Sequence, residues 1–179
     1  GRHYKTVQSD GATSQSFYNL KGQRIKQTDP DGVTTLYAYN SLGEQILSAL
    51  DIDRNSVIDT NGTDRITLRT SVAANVSSRD CQVTKTYAWA TNNSAVSNLI
   101  SQIRASADGS TTWQISYNGA TGLTNRTDTV IGTNGNTYVT NTAPDGSYTV
   151  SYTLNGLLQS VTRKDSLNNQ LSSTSFGYD

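Results

Sequence analysis

The sequence predicts an all-β fold, an antiparallel meander of consecutive hairpins forming a twisted, curved sheet. Three observations point there. Tyr–Asn turns recur along the chain, and Asp–Gly or Asn–Gly turns alternate with them. The segments between turns are rich in Thr, Val, Ile and Tyr, which suit a pleated, half-buried surface. Composition agrees: only 34% of the 179 residues are hydrophobic. A net charge of zero and ten Tyr still separate the chain from disordered sequences, which pair low hydrophobicity with like charges.

Taken in order, Asp10-Gly11 opens the series and YNLKG at 18–22 closes the next turn. Asp31-Gly32 leads into VTTLYAYN at 33–40, and YNSLG at 39–43 repeats the first motif after about 21 residues. That strand places Val33, Thr35, Tyr37 and Tyr39 on one face and Thr34, Leu36 and Ala38 on the other. Residues 51–65 interrupt the period as an insertion. Residues 92–104 interrupt it again. There Val96, Leu99, Ile100 and Ile103 stand at helical spacing, whereas the Ser/Asn content and β context favour a long loop running into a strand. Asp108-Gly109 then precedes a looser copy, YNGATG at 117–122, and Asn134-Gly135 precedes Tyr138. Asp145-Gly146 precedes SYTVSY at 147–152, where Tyr148, Val150 and Tyr152 alternate with Ser147, Thr149 and Ser151. YTLNG at 152–156 and FGYD at 176–179 complete the series.

The Asp–Gly and Asn–Gly pairs supply the positive φ angles of tight hairpin turns. One repeat is then one hairpin, about five or six in all. Stacked edge to edge, they bring equivalent tyrosines into line. The residues that define the repeat are Tyr18 with Gly22, Tyr39 with Gly43, Tyr117 with Gly122, Tyr152 with Gly156, and Tyr178.

These motifs resemble the YD-repeat family, also called Rhs repeats. YNLKGQRI (18–25) and YNSLGEQI (39–46) are similar to the family's Tyr–Asp–x–x–Gly–Arg–Leu core. TDPDGVTTLYAYN (28–40) is similar to the turn and strand leading into it, and FGYD keeps the Tyr–Asp pair. Asn replaces Asp after Tyr18, Tyr39 and Tyr117, and Thr153 does so after Tyr152. Asn accepts a similar side-chain-to-backbone turn bond. The resemblance implies a long β-sheet that spirals, in full-length relatives, into a hollow shell around a toxic C-terminal domain, as in teneurins and the shell-forming components of insecticidal toxin complexes. It implies a secreted or cell-surface bacterial protein of which residues 1–179 are a single strip, a partial shell. The partners implied are neighbouring repeats of the parent chain and an encapsulated toxin domain. Exposed sheet edges favour self-association. Relatives often carry a self-cleaving aspartyl protease segment marked by a DPxGWDG-like run, and this sequence has no such run.

The insertion reads ALDIDRNSVIDTNGTDR at 49–65. Asp51, Asp53, Asn55 and Asp59 occupy relative positions one, three, five and nine, and Val57 at seven offers a backbone carbonyl. Calcium loops use this spacing because alternate oxygens converge on one hard cation. Ser56 stands where such loops place Gly, and Gly62 where they place Glu; Asp64 lies two residues further on to supply the missing carboxylate. The expectation is a structural Ca2+ site, against the alternative of a solvated acidic surface loop.

Trp89 and Trp113, with Tyr37, Tyr39 and Tyr87, offer a sugar-stacking platform, which makes a glycan-binding or adhesion module the alternative function. Against this, each aromatic also reads as a repeat position packed on its neighbours. Cys81 reads as a small buried apolar residue in a strand. With His3 the sole histidine and Cys81 the sole cysteine, no His general base or zinc set is indicated, and the chain reads as non-enzymatic. Asp29 and Asp31 belong to a turn, not to a glycosidase pair. Asn–x–Ser/Thr triplets at Asn61, Asn75, Asn92 and Asn125 arise readily by chance in a chain this rich in Asn and Thr. No apolar run approaches the roughly 18 residues needed to cross a bilayer, and no basic run gives a footprint for nucleic acid, so neither partner is expected.

Overall fold

A computed structural model describes residue 2, residues 4–89 and residues 96–179. His3, Asn92 and the start of the 92–104 segment lie outside the described residues. Five short strands come first: β1 (Lys5–Val7), β2 (Thr13–Tyr18), β3 (Arg24–Thr28), β4 (Thr34–Tyr39) and β5 (Gln45–Leu50). Residues 51–64 form an excursion before three longer strands, β6 (Arg65–Val76), β7 (Arg79–Trp89) and β8 (Ser97–Ser106). Next come β9 (Thr111–Asn118), β10 (Thr121–Ile131) and β11 (Asn136–Thr142). Last are β12 (Tyr148–Leu154), β13 (Leu157–Lys164) and β14 (Gln170–Ser175). Strand order follows chain order from β1 to β14 in one antiparallel meander that does not close on itself. No helix among the described residues is long and apolar enough to cross a membrane.

The chain divides into two compact units, residues 1–70 with 86–99, and residues 71–85 with 100–179. In the first, the ladder sets Leu36 opposite Ala49 and Ala49 opposite Ile66, so alternation puts all three on one face. They form a buried cluster, with Leu47, Ile58 and Trp89 packed against it. Burying the Ile66 side chain contributes about 1.5–3 kcal/mol. In the second unit, Cys81, Val83 and Trp113 form a buried cluster with Val76 against it, and Cys81 is a free thiol.

The buried polar residues Gln102, Ser106 and Thr111 of the second unit are hydrogen-bonded, whereas Arg104 Nε and Asn136 Oδ1 are buried without a partner among the described residues. The Thr111 amide donates to Ser106 Oγ at 2.8 Å, and its hydroxyl donates to Asp128 Oδ1 at 3.0 Å. The Tyr117 hydroxyl donates to the buried Gln102 Oε1 at 2.9 Å.

The turns depart from expectation. Asn19, Asp29, Asn40 and Asp165 each open the same five-residue turn. Each accepts at Oδ1 from the amide four residues on, at Gln23 (2.9 Å), Val33 (2.8 Å), Glu44 (2.9 Å) and Asn169 (2.8 Å). The fourth residue is left-handed, with φ of 80° at Gly22 and Gly32, 88° at Gly43 and 71° at Asn168. This is a three-residue hairpin loop ending in a bulge. The ladder register shifts beside Tyr18, Tyr39 and Lys164 accordingly. The Tyr–Asn–x–x–Gly turns and the Asp31-Gly32 turn read from the sequence thus share one geometry, and the same backbone bonds close the Asp10-Gly11 and Asp145-Gly146 turns, which open on Gln8 and Ala143.

The fourteen strands among the described residues make seven hairpins, against the five or six expected. One uncounted turn joins β6 to β7 through Ser77 and Ser78, at φ of 52° and 62°. Another joins β13 to β14 through Asn168; neither contains Gly. Residues 97–106 are strand β8 and not helix, with Ile100 and Ile103 exposed and Gln102 and Ser106 buried. The loop-into-strand alternative therefore holds for the described part of that segment.

Candidate functional site

The excursion at 51–64 concentrates acidic groups. Leu50 pairs with Arg65 across β5 and β6, and continuing that register sets Asp51 opposite Asp64. Two residues inward on the same face lie Ala49 and Ile66, so these carboxylates prolong a buried apolar row. Asp51 is 5% exposed and Asp64 is 2% exposed. One carboxylate oxygen from each of Asp51, Asp53 and Asp64 lies within 4.8 Å of the other two. Like charges directly opposite on a sheet destabilise it. At this separation each pair repels by about 3–4 kcal/mol at an effective dielectric of about 20.

Backbone amides offset part of that repulsion. Ser56 donates to Asp51 Oδ2 at 3.0 Å, Ile52 to Asp64 Oδ1 at 3.0 Å and Asp59 to Asp64 Oδ2 at 3.2 Å. Asp51 Oδ1 is buried with no hydrogen-bond partner among the described residues. Neither ion pair among the described residues reaches the cluster, and the nearby Lys26 ammonium donates to Ser56 Oγ at 2.8 Å.

The other loop residues are placed as follows. Asp53 accepts from the Asn55 amide at 3.2 Å and from its side chain at 2.8 Å. Asn55 Oδ1 accepts from the Val57 amide at 2.7 Å. Ser56 adopts φ of 61°, the left-handed conformation for which calcium loops use Gly. Asp59 does not join the three converging carboxylates. Instead its Oδ1 accepts from the Asn61 amide at 3.1 Å and its carbonyl from the Gly62 amide at 3.2 Å, closing a local turn.

The repeat tyrosines connect successive hairpins. The Tyr39 hydroxyl donates to the Arg24 carbonyl at 2.7 Å, two residues past Gly22. The Tyr178 hydroxyl donates to the Leu158 carbonyl at 2.6 Å, two residues past Gly156. Each therefore anchors on the outgoing strand of an earlier Tyr–x–x–x–Gly turn. Tyr152 stacks on Tyr138 with ring centroids 4.9 Å apart. Gln23 Nε2 donates to the Gly43 carbonyl at 3.3 Å, tying one turn to its successor. A family model for the RHS repeat matches residues 18–51, the stretch that begins at Tyr18 and ends at Asp51. The chain carries an RHS repeat. A search of curated proteins finds no match to the chain.

Within this RHS repeat, Asn in place of the carboxylate has a structural counterpart. Asn19 Nδ2 donates to Gln23 Oε1 and Asn40 Nδ2 to Glu44 Oε2, both at 2.7 Å. The amide keeps the Oδ1 acceptor that builds the turn and adds a donor, which the fifth residue accepts. Beyond the matched stretch, the looser copies need correction. Gly122 is not a turn glycine: it sits in β10 opposite Tyr117, and the left-handed residue of that turn is Gly119 at φ of 61°. A Cβ on Gly122 would meet the Tyr117 ring at 3.2 Å, so the glycine makes room for the aromatic. The 152–156 copy closes instead through Asn155 and Gly156, at φ of 50° and 82°.

The tryptophans of the sugar platform read from the sequence are placed as follows. Trp113 is 8% exposed, and the Arg126 guanidinium lies over its ring at 5.5 Å. Trp89 is half-buried against the Leu36, Ala49 and Ile66 cluster. Sequence reading missed the fifth-residue partners Gln23, Glu44 and Asn169. The available signal was an amide or acid four residues after Asn19, Asn40 and Asp165, a position that Val33 takes after Asp29.

Proposed function

We propose that the chain is a non-enzymatic structural segment of a large secreted or surface bacterial protein, in which RHS-repeat hairpins build part of an encapsulating β-shell of the toxin-delivery type. The observation that carries this reading is the unbroken correspondence of strand order and chain order through β14. A meander of this kind grows by adding hairpins to its edge, each satisfying the backbone groups of the last. The hydroxyl links from Tyr39 and Tyr178 to earlier turns supply a contact that every added repeat can renew. Partners on this reading are further repeats of the same polypeptide and an enclosed domain.

Limited proteolysis of the whole parent polypeptide tests it. The expected pattern is a resistant repeat body that shields the enclosed segment until denaturant opens it. Immediate cleavage of that segment under native conditions would overturn the shell reading. A second measurement concerns the edge. The chain alone should associate through β14 as concentration rises in light scattering, and Leu171→Lys, at an exposed edge position, should reduce the association. A chain that stays monomeric throughout would contradict the edge-pairing part of the proposal.

A further inference from the structure

We propose that Asp51, Asp53 and Asp64 form a calcium site that clasps the base of the 51–64 excursion and holds β5 and β6 in register. This goes beyond the shell reading and stands or fails independently of it. The cluster alone would not carry the inference; the Asp51 oxygen does. Oδ1 of Asp51 is buried, lacks a hydrogen-bond partner among the described residues, and belongs to a side chain only 5% exposed. A buried carboxylate oxygen left unpaired beside two further carboxylates calls for a cation at that place.

The chemistry selects the cation. All three ligands are hard carboxylate oxygens, which suit calcium or magnesium over zinc or copper. Ca–O distances of about 2.3–2.6 Å put opposite ligands about 4.6–5.2 Å apart, whereas Mg–O distances allow only about 4.2 Å. The three oxygens all lie within 4.8 Å of one another, inside the span that ligands of one calcium ion reach. The loop backbone is also shaped for it, with Ser56 left-handed at the sixth position from Asp51. Asn55 and the Val57 carbonyl, on the same alternate spacing, are the chain's own candidates for remaining ligands. Asp59 is left out of the set because its carboxylate does not join the three that converge.

The position gives the ion its task. Asp51 follows the last residue of β5 and Asp64 precedes the first of β6, so one cation neutralises both stems where the ladder opens into the excursion.

The test uses the intact chain, stripped with chelator and titrated with CaCl2, MgCl2 or ZnCl2 by calorimetry, with thermal unfolding in parallel. One calcium per chain is expected, bound at least tenfold more tightly than magnesium, with a higher Tm in calcium. Asp53→Ala removes an exposed ligand with little risk to folding and should weaken calcium binding at least tenfold. Asp51→Asn should abolish the calcium-dependent rise in Tm, while Asp10→Ala, in a separate turn, should leave it unchanged. Calcium should also slow hydrogen exchange at the Ile52 and Ser56 amides. Absence of heat and of any Tm change at millimolar calcium, or wild-type affinity in Asp53→Ala, would overturn the site.

Discussion

Tyr39 bonds a carbonyl 15 residues back through a single hydroxyl, which makes its contribution measurable by the removal of one atom. Tyr39→Phe keeps the ring and leaves the Arg24 carbonyl unpaired, so urea unfolding should show a loss of about 1 kcal/mol. An unchanged midpoint would mean that water replaces the hydroxyl at no cost. The turn carboxylates respond to acid. Asp108 is held well below the usual carboxylate range by the Ser106 hydroxyl first, then by the amide and hydroxyl of Ser110. Ser147 lowers Asp145 in the same way, and Asn169 lowers Asp165. A carboxylate whose pKa falls on folding stabilises the fold above its unfolded value, and that contribution is lost as pH drops through the folded value. Stability should therefore hold near neutrality and decline once the pH falls below the ordinary 3.8, with Asp108→Asn shrinking the decline. A denaturation midpoint flat through that acid range would refute the assignment.

At the scale of the element, the turn is the unit that the sequence specified best and described least accurately. Asn19-x-x-Gly22 and Asn40-x-x-Gly43 were legible because Tyr, Asn and Gly recur at fixed offsets. Asp165 and Asn168 make the same turn without glycine, and Ser77 with Ser78 turn left-handed without Asn, Asp or Gly, so no glycine marked either. The pairing of Asp51 with Asp64 was legible only in part. Spacing supplied the acidic residues, but opposition across the ladder depends on the register of β5 and β6, which no local pattern states. Conformation separates two glycine substitutions sharply. Gly43→Ala forces a side chain into the left-handed region at φ of 88° and should cost about 1–2 kcal/mol. Gly132→Ala meets Asn136 Cβ at an ordinary 3.5 Å and has no such φ, so its effect should stay within about 0.5 kcal/mol. Equal losses in thermal melts would show that space, not backbone angle, governs these turns.

Across the described strands, ladder pairing follows chain order, so much of the stability is assembled locally. The all-β meander was readable for that reason: each hairpin needs only its own turn and alternation. The buried clusters were not readable, because Leu36, Ala49 and Ile66 come from three strands with different spacings. Ile66→Ala should cost about 2–5 kcal/mol and raise amide exchange in β4 to β6; protection unchanged there would place the core elsewhere.

The backward direction of the tyrosine bonds bears on synthesis. Tyr39 and Tyr178 each reach a carbonyl that left the ribosome earlier, by 15 and 20 residues. A nascent chain thus finds its docking point already in place and can settle one hairpin at a time, without waiting for sequence still to be translated.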